Sequence, residues 1–204
     1  MTSTHVYNPT LRAELLRMRA EDERVREELA SDGQLYEGYH PRMAEVHQKH
    51  GARLAEIIDE HGWPVKPLVG EDGAEAAWLI VQHDIGNPPL QRRCLKLIEA
   101  AVRKGEVPAE QMALLTDRIR VFEGRPQVYG TSFDWDEQGE MSPCEIEDAE
   151  NVDERRKSVG LSPLVENARR QREGIAQSNE RAPADWHARQ REMAEWARSV
   201  GWRD

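Results

Sequence analysis

The sequence predicts a mainly α-helical protein, a helical bundle with a small β-hairpin insertion and a C-terminal amphipathic helix. Apolar residues recur at spacings of three and four through most of the chain, which is the period of an amphipathic helix. Pairs such as Asn-Pro and Ser-Pro mark helix starts, and a turn-rich stretch with β-branched and aromatic residues lies at about 126–146. A chain of 204 residues suits one domain with appendages or two very small domains, and we expect a helical domain over 1–177 and an appended C-terminal helix in 178–204.

The first helix begins at Asn8, which suits the N-cap, and Pro9 occupies the first helical position. Its apolar seam consists of Leu11, Leu15, Met18, Val25 and Leu29. Asp22 occupies the position that is missing from this seam. Such an acid either pairs with an arginine at the edge of the seam or belongs to a site, and the sequence leaves both interpretations open.

The second helix is predicted from Pro41 to His61, and Gly62-Trp63-Pro64 ends it because a helix seldom continues into proline. Its seam combines apolar residues with four of the seven histidines of the chain, in the order His40, Met43, His47, His50, Leu54, Ile57 and His61. These residues alternate in steps of three and four, so the histidines project toward one side of the helix.

After a predicted loop at 64–73, the third helix covers 74–83 and is apolar almost all round, which is typical of a helix at the centre of a bundle. A fourth helix begins at Asn87-Pro88 and ends at Gly105, and a fifth begins at Pro108.

The character of the chain then changes. We expect a hairpin that pairs roughly 126–133 with 140–146, in which alternation places Gln127, Tyr129 and Thr131 on one strand face. A short helix capped by Asn151, a helix from Ser162-Pro163 and a last helix bearing Trp186, Met193 and Trp196 complete the predicted elements.

Composition limits the classes of partner and location. The formal charge of −10 argues against a general nucleic-acid binder, since phosphate contacts need clustered Lys and Arg. No window reaches the roughly 18 apolar residues of a membrane helix, and the N-terminus has no apolar signal core. Two distant cysteines, Cys94 and Cys144, favour a reducing, cytoplasmic location.

The histidine seam has a spacing that could hold a metal, although the sequence does not favour one. His47 and His50 are three residues apart on one helical face, a spacing that can present two imidazoles to one ion. Asp22 and His83, from other helices, could complete the site. The alternative is that each histidine is a core residue whose ring nitrogens are hydrogen-bonded.

The segment His83-Asp84-Ile85-Gly86-Asn87 resembles the His-Asp motif of the HD phosphohydrolase superfamily, and the upstream stretch "HGARLAEIIDEHG" resembles its first helix. The resemblance implies a divalent metal held by His50, His83, Asp84 and Asp117 that activates water for attack on phosphorus. Under any other interpretation the cofactor is unknown and no metal is favoured.

A longer resemblance rests on seven segments in order between Tyr39 and Leu164: "GYHPRMAEVH", "HGWP", "LVGEDGAEAAWLIVQH", "QRRCL", "LTDRIRV", "GRPQVYGT" and "VDERRKSVGLSPL". Together they resemble a bacterial family classed only as a domain of unknown function. In that family pattern the His of "QH" recurs with a Gln eight residues later, here His83 and Gln91, whereas the residue after the His is often not Asp. The resemblance therefore implies a role for His83 that does not require Asp84.

The residues of this pattern predict a small-molecule site. We expect His83 as general acid or base and Arg118 as anion clamp, with Tyr129 and Asp22 beside them as catalytic residues. Gln91, Gln127, His47 and Arg156 are the expected substrate-binding residues. Structural roles are the alternative: Asp117-Arg118 could bond Arg156 or the hairpin, and "QVYGT" could reflect a bulge at Gly130.

Three hypotheses for function follow from these patterns. The first is a small-molecule-binding domain or enzyme centred on His83, and the second is a metal-dependent HD-type phosphohydrolase. The third is a non-catalytic interaction module that contacts a protein partner, or a second copy of itself, through the C-terminal helix.

Overall fold

The structure, a computed structural model, describes residues 7–36, 38–178 and 180–204. Within them the chain forms eight α-helices and one antiparallel hairpin, which confirms the mainly helical fold and the C-terminal helix. Residues 1–6, and Glu37 and Asn179 in two of the predicted breaks between helices, lie outside the described part. The chain divides into two compact units, Met1–Val107 and Pro108–Asp204.

The first unit contains four helices: α1 (Pro9–Ser31), α2 (Pro41–His61), α3 (Lys66–His83) and α4 (Pro88–Arg103). The predicted start signals are confirmed, since the Asn8 side chain accepts the amide hydrogen of Leu11 and the Asn87 side chain accepts that of Leu90. α3 packs against α1, α2 and α4, which agrees with its predicted central position.

α3 begins earlier than the sequence predicts. Residues 66–69 already form a helical turn with Pro67 in its first positions, and the expected loop is reduced to a kink at Gly70. Gly70 has φ 75° and ψ 171°, a conformation that an L-residue rarely adopts, so the glycine allows two helical segments to join without a long loop.

The seams of these helices form the core of the first unit. Leu15 and Val25 of α1 and Leu54 of α2 are buried, and so are the polar residues Asp22 and His47, which lie on the same seams. Buried ionisable groups in a small core need partners, and these partners define the candidate site described below.

The second unit contains α5 (Ala109–Phe122), β1 (Phe133–Trp135), β2 (Met141–Pro143), α6 (Val152–Ser158), α7 (Leu164–Gln177) and α8 (Trp186–Ser199). Strands β1 and β2 pair antiparallel, with Trp135 opposite Met141. α8 packs within this unit: the Trp186 indole donates to the Trp135 carbonyl, and the Trp196 and Trp202 rings each lie 5.4 Å from the Phe122 ring.

The hairpin strands are shorter than predicted. Residues 128–132 do not join a strand, because the amide hydrogens of Val128, Tyr129 and Thr131 are donated to the carboxylate of Asp117 on α5. Gly130, between them, has φ 64° and lies against the side chains of Ile146 and Leu164. The alternation that suggested one strand face for Gln127, Tyr129 and Thr131 is therefore wrong.

Among the described helices, none combines the length and the apolar composition that a membrane crossing requires. Both cysteines are free thiols, and burial raises the pKa of Cys94 to about 12 and that of Cys144 to about 11.

Candidate functional site

Three helices of the first unit bring Asp22, His47 and His83 together, and we call these residues the Asp–His cluster. Asp22 lies on the seam of α1, His47 on the seam of α2, and His83 is the last residue of α3. His83 Nδ1 lies 2.7 Å from Asp22 Oδ1, and His47 Nε2 lies 2.8 Å from Asp22 Oδ2. One carboxylate thus faces two imidazoles, one on each oxygen.

The electrostatics of the cluster keep Asp22 ionised. Burial opposes ionisation of its carboxyl, but the contacts with His47 and His83 outweigh burial and hold the pKa of Asp22 well below its ordinary value. An ionised carboxylate accepts hydrogen bonds and does not donate them. The Nδ1 atom of His83 therefore carries the hydrogen, and Nε2 of a neutral His83 ring is left as the basic nitrogen.

The two imidazoles contact the carboxylate differently. The bond from His83 Nδ1 is a well-formed hydrogen bond, whereas the ring geometry of His47 does not align Nε2 with the carboxylate oxygen despite the short distance. His47 Nε2 is thus a buried nitrogen that lies near an anion without a hydrogen-bond partner among the described residues.

Tyr39 extends the cluster on the far side of His47. Its hydroxyl lies 2.8 Å from His47 Nδ1. Burial and the carboxyl groups of Asp84 and Asp22 raise the pKa of Tyr39 above its ordinary value, so the hydroxyl stays protonated in its hydrogen bond with Nδ1. Sequence reasoning missed Tyr39, because it lies before α2 in a turn that carries no periodic signal.

The cluster opens to solvent through His83. The side chains of Asp22 and His47 are 2% and 7% exposed, whereas that of His83 is 23% exposed. A partly exposed imidazole whose Nδ1 atom is bound by a buried carboxylate is the arrangement of a general base in many hydrolytic sites.

Asp84 lies next to His83 in the sequence and is buried against a different neighbour. Burial raises its pKa to about 6, against the lowering effects of a hydrogen bond from Asn87 and of nearby His47. Its Oδ2 atom has no hydrogen-bond partner among the described residues and lies against Gly51 of α2.

His50 lies one turn beyond His47 on α2 and has its own partner. Its Nε2 atom is 3.0 Å from a carboxylate oxygen of Glu21, which also binds Lys49. Four residues are candidate metal ligands in the sequence. The structure brings Asp22, His47 and His83 together, while His50 pairs with Glu21. Glu21 gave no signal in the sequence because it lies on the polar side of the seam.

Gln91, the second residue of the family pattern, is fully buried at the start of α4. Its amide donates to the carbonyl of Val81 at 2.7 Å and, less closely, to that of Gln82 at 3.4 Å. These bonds satisfy carbonyl groups near the end of α3. Gln91 thus supports the helix end that carries His83.

The other predicted site residues belong to the second unit. The Asp117 carboxylate is fully buried and accepts three amide hydrogens and the Thr131 hydroxyl. Gln127 is also fully buried, and its amide donates to the carbonyls of Ser132 and Cys144 while its oxygen accepts from the Ser132 amide. These contacts hold the segment before the hairpin in place.

Arg118, Tyr129 and Arg156 complete the predicted set. Arg118 is half-buried on α5, and the main chain of Tyr129 donates to Asp117 and accepts from Arg156. Arg156 is 1% exposed, and its guanidinium donates to the carbonyls of Tyr129, Gly130 and Ser162.

A family model matches most of the chain, including the Asp–His cluster and the predicted site residues of the second unit. Residues 9–176 match the model of a family of unknown function, DUF6624. The chain belongs to the DUF6624 family. This confirms the resemblance found between Tyr39 and Leu164, and the matched range includes the Asp–His cluster and ends before α8. No curated protein and no solved structure is significantly similar to this DUF6624 chain.

Proposed function

We propose that the Asp–His cluster is the active site of a small-molecule enzyme, in which His83 acts as general acid or base. The observation that supports this is the 2.7 Å bond between the buried Asp22 carboxylate and Nδ1 of the partly exposed His83. Asp22 orients the ring and stabilises the imidazolium that forms when Nε2 takes a proton. His47 lies 2.8 Å from the second carboxylate oxygen and Tyr39 holds the His47 ring through Nδ1, so both residues shape the surroundings of Asp22.

The proposal makes a spectroscopic prediction that needs no substrate. Neutral His83 should be the Nδ1–H tautomer, because an ionised Asp22 requires a donor at that nitrogen. A long-range ¹H–¹⁵N spectrum of the imidazoles checks this directly, and Asp22→Asn should abolish the preference. An Nε2–H tautomer in the native protein would contradict the assigned role.

Activity is tested with chromogenic esters, phosphomonoesters and phosphodiesters of p-nitrophenol. Wild-type turnover should fall about 10²-fold or more in His83→Gln, as for loss of a general base. His187→Gln is the matched control, since His187 is an exposed histidine on α8 with a side chain 66% exposed. Thermal unfolding of each variant separates lost chemistry from lost folding, and equal rates in both variants would exclude His83 as the catalytic group.

A second candidate function is metal-dependent chemistry at the same cluster. One ligand atom from each of Asp22, His47 and His83 lies within 4.8 Å of the other two. Two imidazoles and one carboxylate suit zinc, iron or manganese, and three protein ligands leave a position for water or substrate. The unaligned Nε2 atom of His47 is the observation that favours this candidate.

Elemental analysis of untagged protein separates the two functions. A metal centre should carry near-stoichiometric metal in the wild type and lose it in His47→Gln, while His50→Gln retains it. His50 is the matched control because it is equally buried on the same helix and pairs with Glu21. Protein that purifies without metal, and takes up none when dialysed against Zn²⁺ or Mn²⁺, would exclude the metal-dependent function.

A further inference from the structure

A cavity of about 310 Å³ lies in the second unit, between α5, α6 and α7 and the segment before the hairpin. Its volume is at the lower end of the range found for small-molecule sites. The polar residues that line it include Arg156, Arg170, Asn167, Ser162, Thr131 and Glu110. None of the Asp–His cluster residues lines this cavity, so a ligand bound there is separate from the proposed active site.

Arg156 is unusual among the residues that line the cavity, because in the described part of the chain it is a buried arginine without a direct ion pair. The residue is 1% exposed, and among the described residues no carboxylate lies within ion-pairing distance of its guanidinium. Its hydrogen bonds go to three main-chain carbonyls: Nε donates to Ser162, and Nη1 donates to Tyr129 and Gly130. Nη2, with two hydrogens, has no acceptor among the described residues.

A buried cation of this kind normally requires an anion. Carbonyl dipoles and the more distant carboxylates of Asp153, Asp117 and Glu110 offset part of the desolvation of this guanidinium, but a buried charge that no anion contacts directly is still costly. The Nη1 and Nε bonds fix the plane of the guanidinium, so its Nη2 side is a preorganised donor for an oxyanion. The cavity provides the space for such a group.

Two further side chains define the class of ligand. Arg170 on α7 adds a second positive charge to the wall, and its guanidinium is held by Ser162 and by Glu166. Glu110 on α5 adds a negative charge, which opposes a doubly charged phosphate more than a singly charged acid. We propose that this cavity binds a small carboxylate ligand through Arg156 and Arg170.

The binding is measured with acetate and L-alanine as carboxylate probes and with inorganic phosphate as the comparison. The full chain is titrated in chloride-free buffer, and the ¹H–¹⁵N resonances of the Arg156 Nε–H and the Asn167 amide report the cavity. Saturable shifts with a carboxylate, and weaker binding of phosphate, are expected. Saturable binding of phosphate alone would overturn the ligand class, and the absence of any saturable shift would overturn the site.

Substitutions on the cavity wall test the assignment without removing the buried Arg156. Arg170→Gln should weaken carboxylate binding roughly tenfold, the effect of losing one charge-assisted contact. Arg169→Gln is the matched control, because Arg169 is an exposed arginine on the same helix that does not line this cavity. Glu110→Gln should strengthen binding.

The directions of these three changes in affinity distinguish a specific carboxylate site from attraction by general surface charge. Equal weakening by Arg169→Gln and Arg170→Gln, or no strengthening by Glu110→Gln, would overturn the proposal. A negative titration would not contradict the function proposed for the Asp–His cluster, because the activity and tautomer measurements test His83 in the first unit and the cavity belongs to the second.

Discussion

At the scale of single residues, the clearest requirement concerns Gly51 and Asp84. A Cβ atom at position 51 would lie 1.9 Å from Asp84 Oδ2 and 2.8 Å from its Cγ, far inside van der Waals contact. Gly51 is in the middle of α2, where glycine otherwise lowers helix stability. The glycine is therefore present to admit a carboxyl group from the end of α3.

Gly51→Ala should destabilise the protein by about 2 kcal/mol, because the added methyl overpacks a buried contact with little freedom to move. Urea unfolding monitored by circular dichroism measures the change. Gly174→Ala is the matched control, since Gly174 is also helical but has nothing within 4 Å of an added Cβ. This substitution should stabilise the protein slightly, because alanine favours a helix more than glycine does. Introducing Asp84→Ala into Gly51→Ala should recover stability, and an additive loss would contradict this explanation.

Asp84 also predicts a specific dependence on pH. Burial raises its folded-state pKa to about 6, above the ordinary value, so folding favours the protonated form. This contribution is complete below the unfolded pKa of about 4 and is lost as pH rises through about 6. Wild-type protein should lose up to about 3 kcal/mol over this window relative to Asp84→Asn. Parallel stability curves for the two proteins between about pH 4 and 7 would show that Asp84 is not responsible.

At the scale of elements, one helical carboxylate determines the shape of a neighbouring segment. Asp117 lies on α5, and its oxygens accept the amides of Val128 at 2.7 Å, Tyr129 at 3.0 Å and Thr131 at 3.0 Å. A strand in this segment would need those amides for its ladder. The carboxylate therefore replaces the start of the predicted hairpin with a turn.

Asp117→Asn should cost about 3 kcal/mol or more, because the amide group presents hydrogens to backbone donors that then lose their acceptor. Asp59→Asn, at an exposed position on α2, is the control and should change stability little. Hydrogen exchange locates the effect: the amides of Val128, Tyr129 and Thr131 should lose protection first. Unchanged protection at these three amides would disprove the anchoring role.

At the scale of the whole molecule, the chain divides into Met1–Val107 and Pro108–Asp204, each with its own internal contacts. The tryptophan side chains of α8, which the sequence offers to a partner, pack inside the second unit on Phe122 and Trp135. A partner or a second copy at α8 stays a prediction, and such a partner would have to use the outer surface of the helix.

Separate expression tests this division. Fragments 1–107 and 108–204 should each keep helical circular dichroism and unfold cooperatively, since each contains its own buried side chains. Fragment 1–177 should be less stable than the full chain, because removal of α8 uncovers Phe122 and Trp135. The appendage boundary after 177 remains a prediction, and a fully stable 1–177 would favour it over the division at 107.

The sequence by itself determined the helices and most of their ends, because caps, prolines and apolar periodicity are local signals. It also marked Asp22 as an acid on an apolar seam and His83 as the end of a buried helix. Only the tertiary structure decided which groups meet. Asp22 pairs with a histidine 61 positions away, and His50 pairs with Glu21. Asp117 binds the backbone amides of a segment at 128–131 whose sequence predicts a strand. The reason is physical: a buried charge takes the partners that packing brings to it, and packing depends on contacts between elements that no local pattern encodes.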